Sequence, residues 1–177
     1  PYASAIEFTN LLTTSTGLDT KFYVWDPLLP SFYGYGGYQT ISSVNGYKPV
    51  PGGTANYDAA VTYTKIQSGQ AFFVYSTPGG TVSFTESNKV AGSDLLFRQS
   101  AANAIANGYL RTTLRNLSGE VLDGNIVALS PDFSNGFESD DAIKLQNFGE
   151  NFGISANGKI LSVNARKDFS SNDTVQF

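Results

Sequence analysis

The chain has 177 residues, a formal charge of −4 and a pI near 4.7, and it holds 18 Gly, 13 Phe and 10 Tyr but no Cys, His or Met. That length suits one domain, 1–177, with a proper core, and the acidic balance argues against the clustered basic face that nucleic acid requires. Zero His removes the usual general base, proton shuttle and imidazole ligand, and zero Cys removes disulfides and thiolate metal sites.

Abundant Thr, Ser, Val and aromatic residues favour sheet over helix. No apolar run has the length of a membrane-spanning helix, so no membrane insertion is expected. A start at Pro1 without a leader, and an abrupt stop at the strand-like Thr174-Val175-Gln176-Phe177, read as a fragment of a longer chain.

In chain order, Pro1 to Phe8 alternates as a strand does, and Thr13-Thr14-Ser15-Thr16-Gly17 reads as a loop. Lys21-Phe22-Tyr23-Val24-Trp25-Asp26 is a strand stopped by Pro27. Phe32-Tyr33-Gly34-Tyr35-Gly36-Gly37-Tyr38 is the richest aromatic and glycine cluster, and Lys48 to Gly53 is an excursion between strands. Trp25, Tyr33, Tyr35 and Tyr38 are the candidate carbohydrate-binding residues, because flat rings with a polar tip can stack on sugar faces. The alternative places Trp25 in the core and the tyrosines along sheet edges.

Ile66 to Tyr75 predicts a turn feeding a buried strand, and Thr77-Pro78-Gly79-Gly80 predicts the bend of a hairpin returning through Thr81 to Glu86. The stretch Asn88 to Asn107 reads as loop, although Ser100 to Ala106 could form a helical turn. Tyr109 to Leu117 alternates as a half-exposed strand, Glu120 to Leu129 supplies another, and Lys159 to Val163 a third. With crossover helices missing, the spacing predicts an all-β, two-sheet antiparallel β-sandwich, jelly-roll-like in its connections.

Between two apolar runs lies an acidic loop in which Asp132, Asn135, Glu138, Asp140 and Asp141 surround Gly136. Calcium takes several hard oxygen ligands on a flexible loop, so these five residues are the candidate metal site, with Asp19 or Asp58 able to add an oxygen. The EF-hand spacing is absent, and a solvated turn with Asp side chains capping backbone N–H groups is the competing reading. For catalysis only a carboxylate pair could serve. Asp26, Glu86, Asp94 and Glu120 are nominal members, yet no motif pairs them, so no enzyme is expected.

Several phrases, in order, resemble a module of the large secreted and surface proteins of Bacteroidetes that are cargo of type IX secretion. They are Pro1-Tyr2-Ala3-Ser4-Ala5-Ile6, Tyr23-Val24-Trp25-Asp26-Pro27, Ile66 to Val74, Phe97-Arg98, Tyr109-Leu110-Arg111 and Gly136 to Leu145. The resemblance implies a β-rich extracellular region, secreted or at the outer-membrane cell surface. Two functions follow as expectations. One is a non-catalytic structural or adhesive module that meets neighbouring protein modules; the other is a carbohydrate-binding module that meets surface glycans through an exposed Tyr platform.

Overall fold

The computed structural model describes residues 4–92 and 106–177. Asp94, the Phe97-Arg98 phrase, the opening Pro1-Tyr2-Ala3 and the Ser100 to Ala106 stretch up to residue 105 lie outside them. The described chain is mostly β, in several sheets, with one short helix and no closed barrel. No described helix is long and apolar enough to cross a membrane.

The described residues build three sheets. The amino-terminal sheet pairs β1 (Ala5–Glu7) with β5 (Lys65–Ile66) and β7 (Lys89–Val90). The central sheet runs β4 (Pro49–Val50), β3 (Gly37–Ser42), β2 (Thr16–Asp26), β6 (Phe72–Thr81). In the third, β10 (Ala142–Ile143), β12 (Lys159–Arg166), β9 (Val121–Leu129) and β8 (Gly108–Arg115) lie side by side, with β11 (Ile154–Ala156) also on β12.

The central sheet is covered on both faces, and β2 shows it in its sequence. Phe22 and Val24 pack with Ile6, Phe8, Leu11 and Ile66, whereas Tyr23 between them packs with Val50, Ile126, Ala128 and Val163. Because successive side chains point to opposite faces, a strand covered on both is buried continuously from Lys21 to Val24 and carries no polar alternation. β9 follows the same rule: Ile126 and Ala128 face the central sheet, and Val127 faces a smaller cluster with Ile154 and Leu161. A direct hydrogen bond from the Thr40 hydroxyl to Ser162 Oγ, 2.9 Å, ties the two large sheets across their shared core.

Several expectations are corrected. The described residues form three hydrogen-bonded sheets where two were expected, and pairing is not wholly antiparallel, since β12 runs parallel to β9 with Val163 opposite Ile126. The 29 residues 130–158 between them carry the acidic loop, β10 and β11, so the crossover is made of loop and short strand, without a helix. The expected Thr13 to Gly17 loop is instead the end of a helix, α1 (Phe8–Thr14), followed at once by β2. Phe8 and Leu11, three residues apart on one helical face, are both fully buried, and that burial overrides the weak helix propensity of the threonines. The hairpin is absent: β6 continues through Gly79 and Gly80 to Thr81, which pairs with Thr16, and its exposure alternates where full burial was expected. The final Thr174 to Phe177 segment makes one bridge, Ser155 to Gln176, and no strand.

Candidate functional site

The four aromatic residues singled out in the sequence come together, joined by three rings from elsewhere. In series, Phe32 meets Tyr33 at 5.1 Å between centroids, Tyr33 stacks near-parallel on Tyr35 at 6.1 Å, and Tyr35 meets Phe148 at 6.1 Å. Phe148 then reaches Trp25 at 5.9 Å, Trp25 meets Tyr38 edge-on at 4.8 Å, and Tyr38 meets Phe73 at 6.0 Å. Trp25 and Tyr38 are direct cross-strand partners on β2 and β3, which explains their contact. Phe32, Tyr33, Tyr35, Phe73 and Phe148 are each more than half exposed, whereas Trp25 and Tyr38 are half-buried and form the root of the ridge.

Local chemistry positions each part. Residues 27–36 can turn back over the end of β2 because Gly36 has φ +85 and sits against the Asp26 carbonyl and 2.7 Å, as a Cβ would measure it, from Pro27 Cα. No other residue fits there. Phe148 projects from a loop that Asn147 and Asn151 lace together: the Asn147 backbone N–H donates to Asn151 Oδ1 at 2.8 Å, and Asn151 Nδ2 returns to the Asn147 carbonyl at 3.1 Å. Asn147 Oδ1 also accepts from Tyr38 N at 2.8 Å, and Glu150 Oε2 accepts from Phe32 N at 3.1 Å. These two bonds clamp the loop onto both ends of the tyrosine cluster. Beside Phe32 an open groove of about 440 Å3 is lined by Leu28, Ser31, Asn116, Glu120 and Glu150, so polar side chains flank the rings.

The acidic loop is built differently from the expected cage. Asp141 is buried and both its oxygens are engaged: Oδ1 accepts from Asn164 Nδ2 at 2.9 Å and from Ala165 N at 3.0 Å, and Oδ2 accepts from Glu138 N at 2.9 Å. Asn135 Oδ1 accepts from Lys167 N at 3.2 Å. Asp132 and Glu138 are exposed and Asp140 is half-buried. Among the described residues no three acidic side chains are grouped as a metal ion would need. Burial, then the neighbouring Asp141 charge, raises the Asp140 carboxyl above the usual range, against a smaller lowering by Lys21. Asp58 turns to its own loop, accepting from Ala60 N, but Asp19 does arrive at the acidic loop. It is carried there by Lys21, whose ammonium donates to Asp19 Oδ2 at 2.6 Å and to the Ser139 carbonyl at 2.8 Å.

The described nominal catalytic acids, Asp26, Glu86 and Glu120, are occupied elsewhere. Asp26 is fully buried: Oδ1 accepts from Leu28 N and Asn56 Nδ2, and Oδ2 from Gln39 Nε2 and the Thr54 hydroxyl. Glu86 pairs with Lys89 at 2.7 Å, and Glu120 Oε2 accepts from Asn116 Nδ2 at 2.6 Å. A second buried charge went unnoticed in the sequence. Asp123 holds Lys144 at 2.8 Å and also accepts from Gly124 N and Phe152 N, with both side chains almost wholly buried.

Sequence reasoning missed Phe73, Phe148 and the Asn147 and Glu150 clamps. A faint signal existed for Phe148, an aromatic residue flanked by Asn and Gly in a polar turn where burial is unavailable. Compared with known proteins, the chain matches no family model, no curated protein and no solved structure.

Proposed function

We propose that this chain is a non-catalytic binding module that takes glycan chains along the aromatic ridge, within a longer protein that is secreted or held at the outer-membrane surface. One observation carries the reading: seven rings in unbroken series, five of them more than half exposed. A soluble surface rarely spends that much apolar area without a partner. Rings with apolar faces suit the C–H faces of pyranoses, and the Asn116, Glu120 and Glu150 side chains alongside suit their hydroxyls. The central and third sheets, sharing the core around Tyr23 and Ile126, would be the jelly-roll-like sandwich that supports it. The resemblance to type IX secretion cargo supplies the extracellular setting.

Affinity gels cast with a panel of neutral polysaccharides test this. Retardation on at least one, weakened roughly tenfold, or about 1–2 kcal/mol, by Tyr35→Ala or Phe148→Ala at unchanged melting temperature, is the expected result. A second reading, a structural or adhesive contact with neighbouring protein modules, draws on three ridge rings being Phe32, Phe73 and Phe148, which have no hydroxyl to offer a sugar. No retardation on any polysaccharide favours that reading over the first.

A further inference from the structure

Where the ridge ends on β6, a cavity of about 230 Å3 opens between the central sheet and the acidic loop. Tyr75, two residues along from Phe73 and exposed on the same face of the strand, forms one wall; Tyr23, Phe137 and Ile143 form others. The charged lining is Asp19, Glu138 and Asp141 against Lys21. Three carboxylates face one ammonium, and that ammonium already donates to Asp19 and the Ser139 carbonyl. The cavity therefore carries negative potential inside aromatic walls.

Two further observations point to a ligand. Tyr23 is only 5% exposed, and its hydroxyl, which makes no hydrogen bond among the described residues, is not sealed in the core but opens into the cavity it lines, free to meet a ligand. Burial, and after it the nearby Asp19 charge, raises the Tyr23 hydroxyl above the usual phenol range, and Asp19 lines the same cavity. The Lys159 ammonium lies 4.7 Å from the Phe137 ring centroid, so that ring already attracts a cation and a ligand there would share it with Lys159.

We propose that this cavity binds a compact organic cation, an alkylammonium or quaternary ammonium group, between Tyr23, Tyr75 and Phe137 and opposite Asp19 and Glu138. Aromatic faces attract a cation through the ring quadrupole, and nearby carboxylates add to the attraction. The volume admits a headgroup of choline size and no large ligand. Lys21 alone would attract a small anion, but its ammonium is already paired with Asp19 at 2.6 Å and the remaining carboxylates repel one.

The proposal is independent of glycan binding on the ridge. Its test is calorimetric titration of the protein with choline and, separately, with 3,3-dimethylbutan-1-ol, which has the same shape without the charge. Choline should bind about tenfold more tightly than the alcohol, and Tyr75→Ala and Glu138→Gln, both at exposed residues and so safe for folding, should each weaken it about threefold or more. Phe148→Ala, on the far part of the ridge, should leave choline binding unchanged. Equal binding of the two probes, binding of neither, or choline affinity indifferent to Tyr75→Ala would each overturn the proposal.

Discussion

Asp26 and Asp140 show how one residue type serves opposite ends in this chain. Asp26 stops β2, and its two oxygens receive four donors from residues 28, 39, 54 and 56, so one carboxylate braces the turn, the next strand and the following excursion. Asp26→Ala strands those buried donors and should cost about 3 kcal/mol in denaturant unfolding; a loss within error of zero would mean the loops rearrange freely. Asp140 works against the fold. Its folded carboxyl holds a proton at higher pH than the unfolded one, whose ordinary value is 3.8, so the folded state binds more protons in the window just above that value. Its contribution is intact below pH 3.8 and is lost as pH rises through the raised folded value. Asp140→Asn should therefore melt higher than the parent at neutral pH, with the advantage vanishing in acid below the unfolded value.

At the scale of elements, the loop from Gln146 to Asn151 is the piece on which the ridge depends. Asn147, 8% exposed, is its fastener, because one side chain both accepts the Tyr38 N–H and donates to the Glu150 carbonyl at 3.4 Å. Asn147→Ala should cost about 1–2 kcal/mol of stability. It should also weaken polysaccharide retardation although it removes no ring, because Phe148 loses its seat. Retardation equal to that of the parent would show that the rings hold one another in place without the clamp. The same scale accounts for the helix and the missing hairpin. Both lie where local propensity and long-range pairing disagree: the threonines of α1 are helical because Phe8 and Leu11 have a core to enter, and Thr77 to Thr81 stay extended because β2 offers an edge to pair with.

For the whole molecule, the buried Asp123–Lys144 pair and the Asp141 hub sit where the chain crosses from β9 to the parallel β12, so the acidic loop acts as a joint between layers. With Asp141 engaged by three donors and Asn135 by a fourth, a calcium ion would have to displace existing bonds. Thermal melting with chelator and with added calcium should give the same midpoint. A midpoint raised by calcium would show that Asp132, Glu138 and Asp140 regroup around the ion, since a ligand bound only to the folded state stabilises it by mass action.

The sequence by itself determined the β-rich character, the strand from Lys21 to Asp26 and those through Leu110 and Ile126, and the concentration of aromatic and glycine residues around Gly34, while leaving open whether those rings face solvent or line sheet edges. Each follows from side-chain period, turn residues and composition within a dozen neighbours. Only the tertiary structure decided the three-sheet arrangement, the parallel β9–β12 pairing, the placing of Phe148 and Phe73 beside Trp25 and Tyr38, and the meeting of Asp19 with a loop more than a hundred residues away. Those outcomes rest on which faces find each other across the core, and a side chain's burial is fixed by its distant partners as much as by its own chemistry.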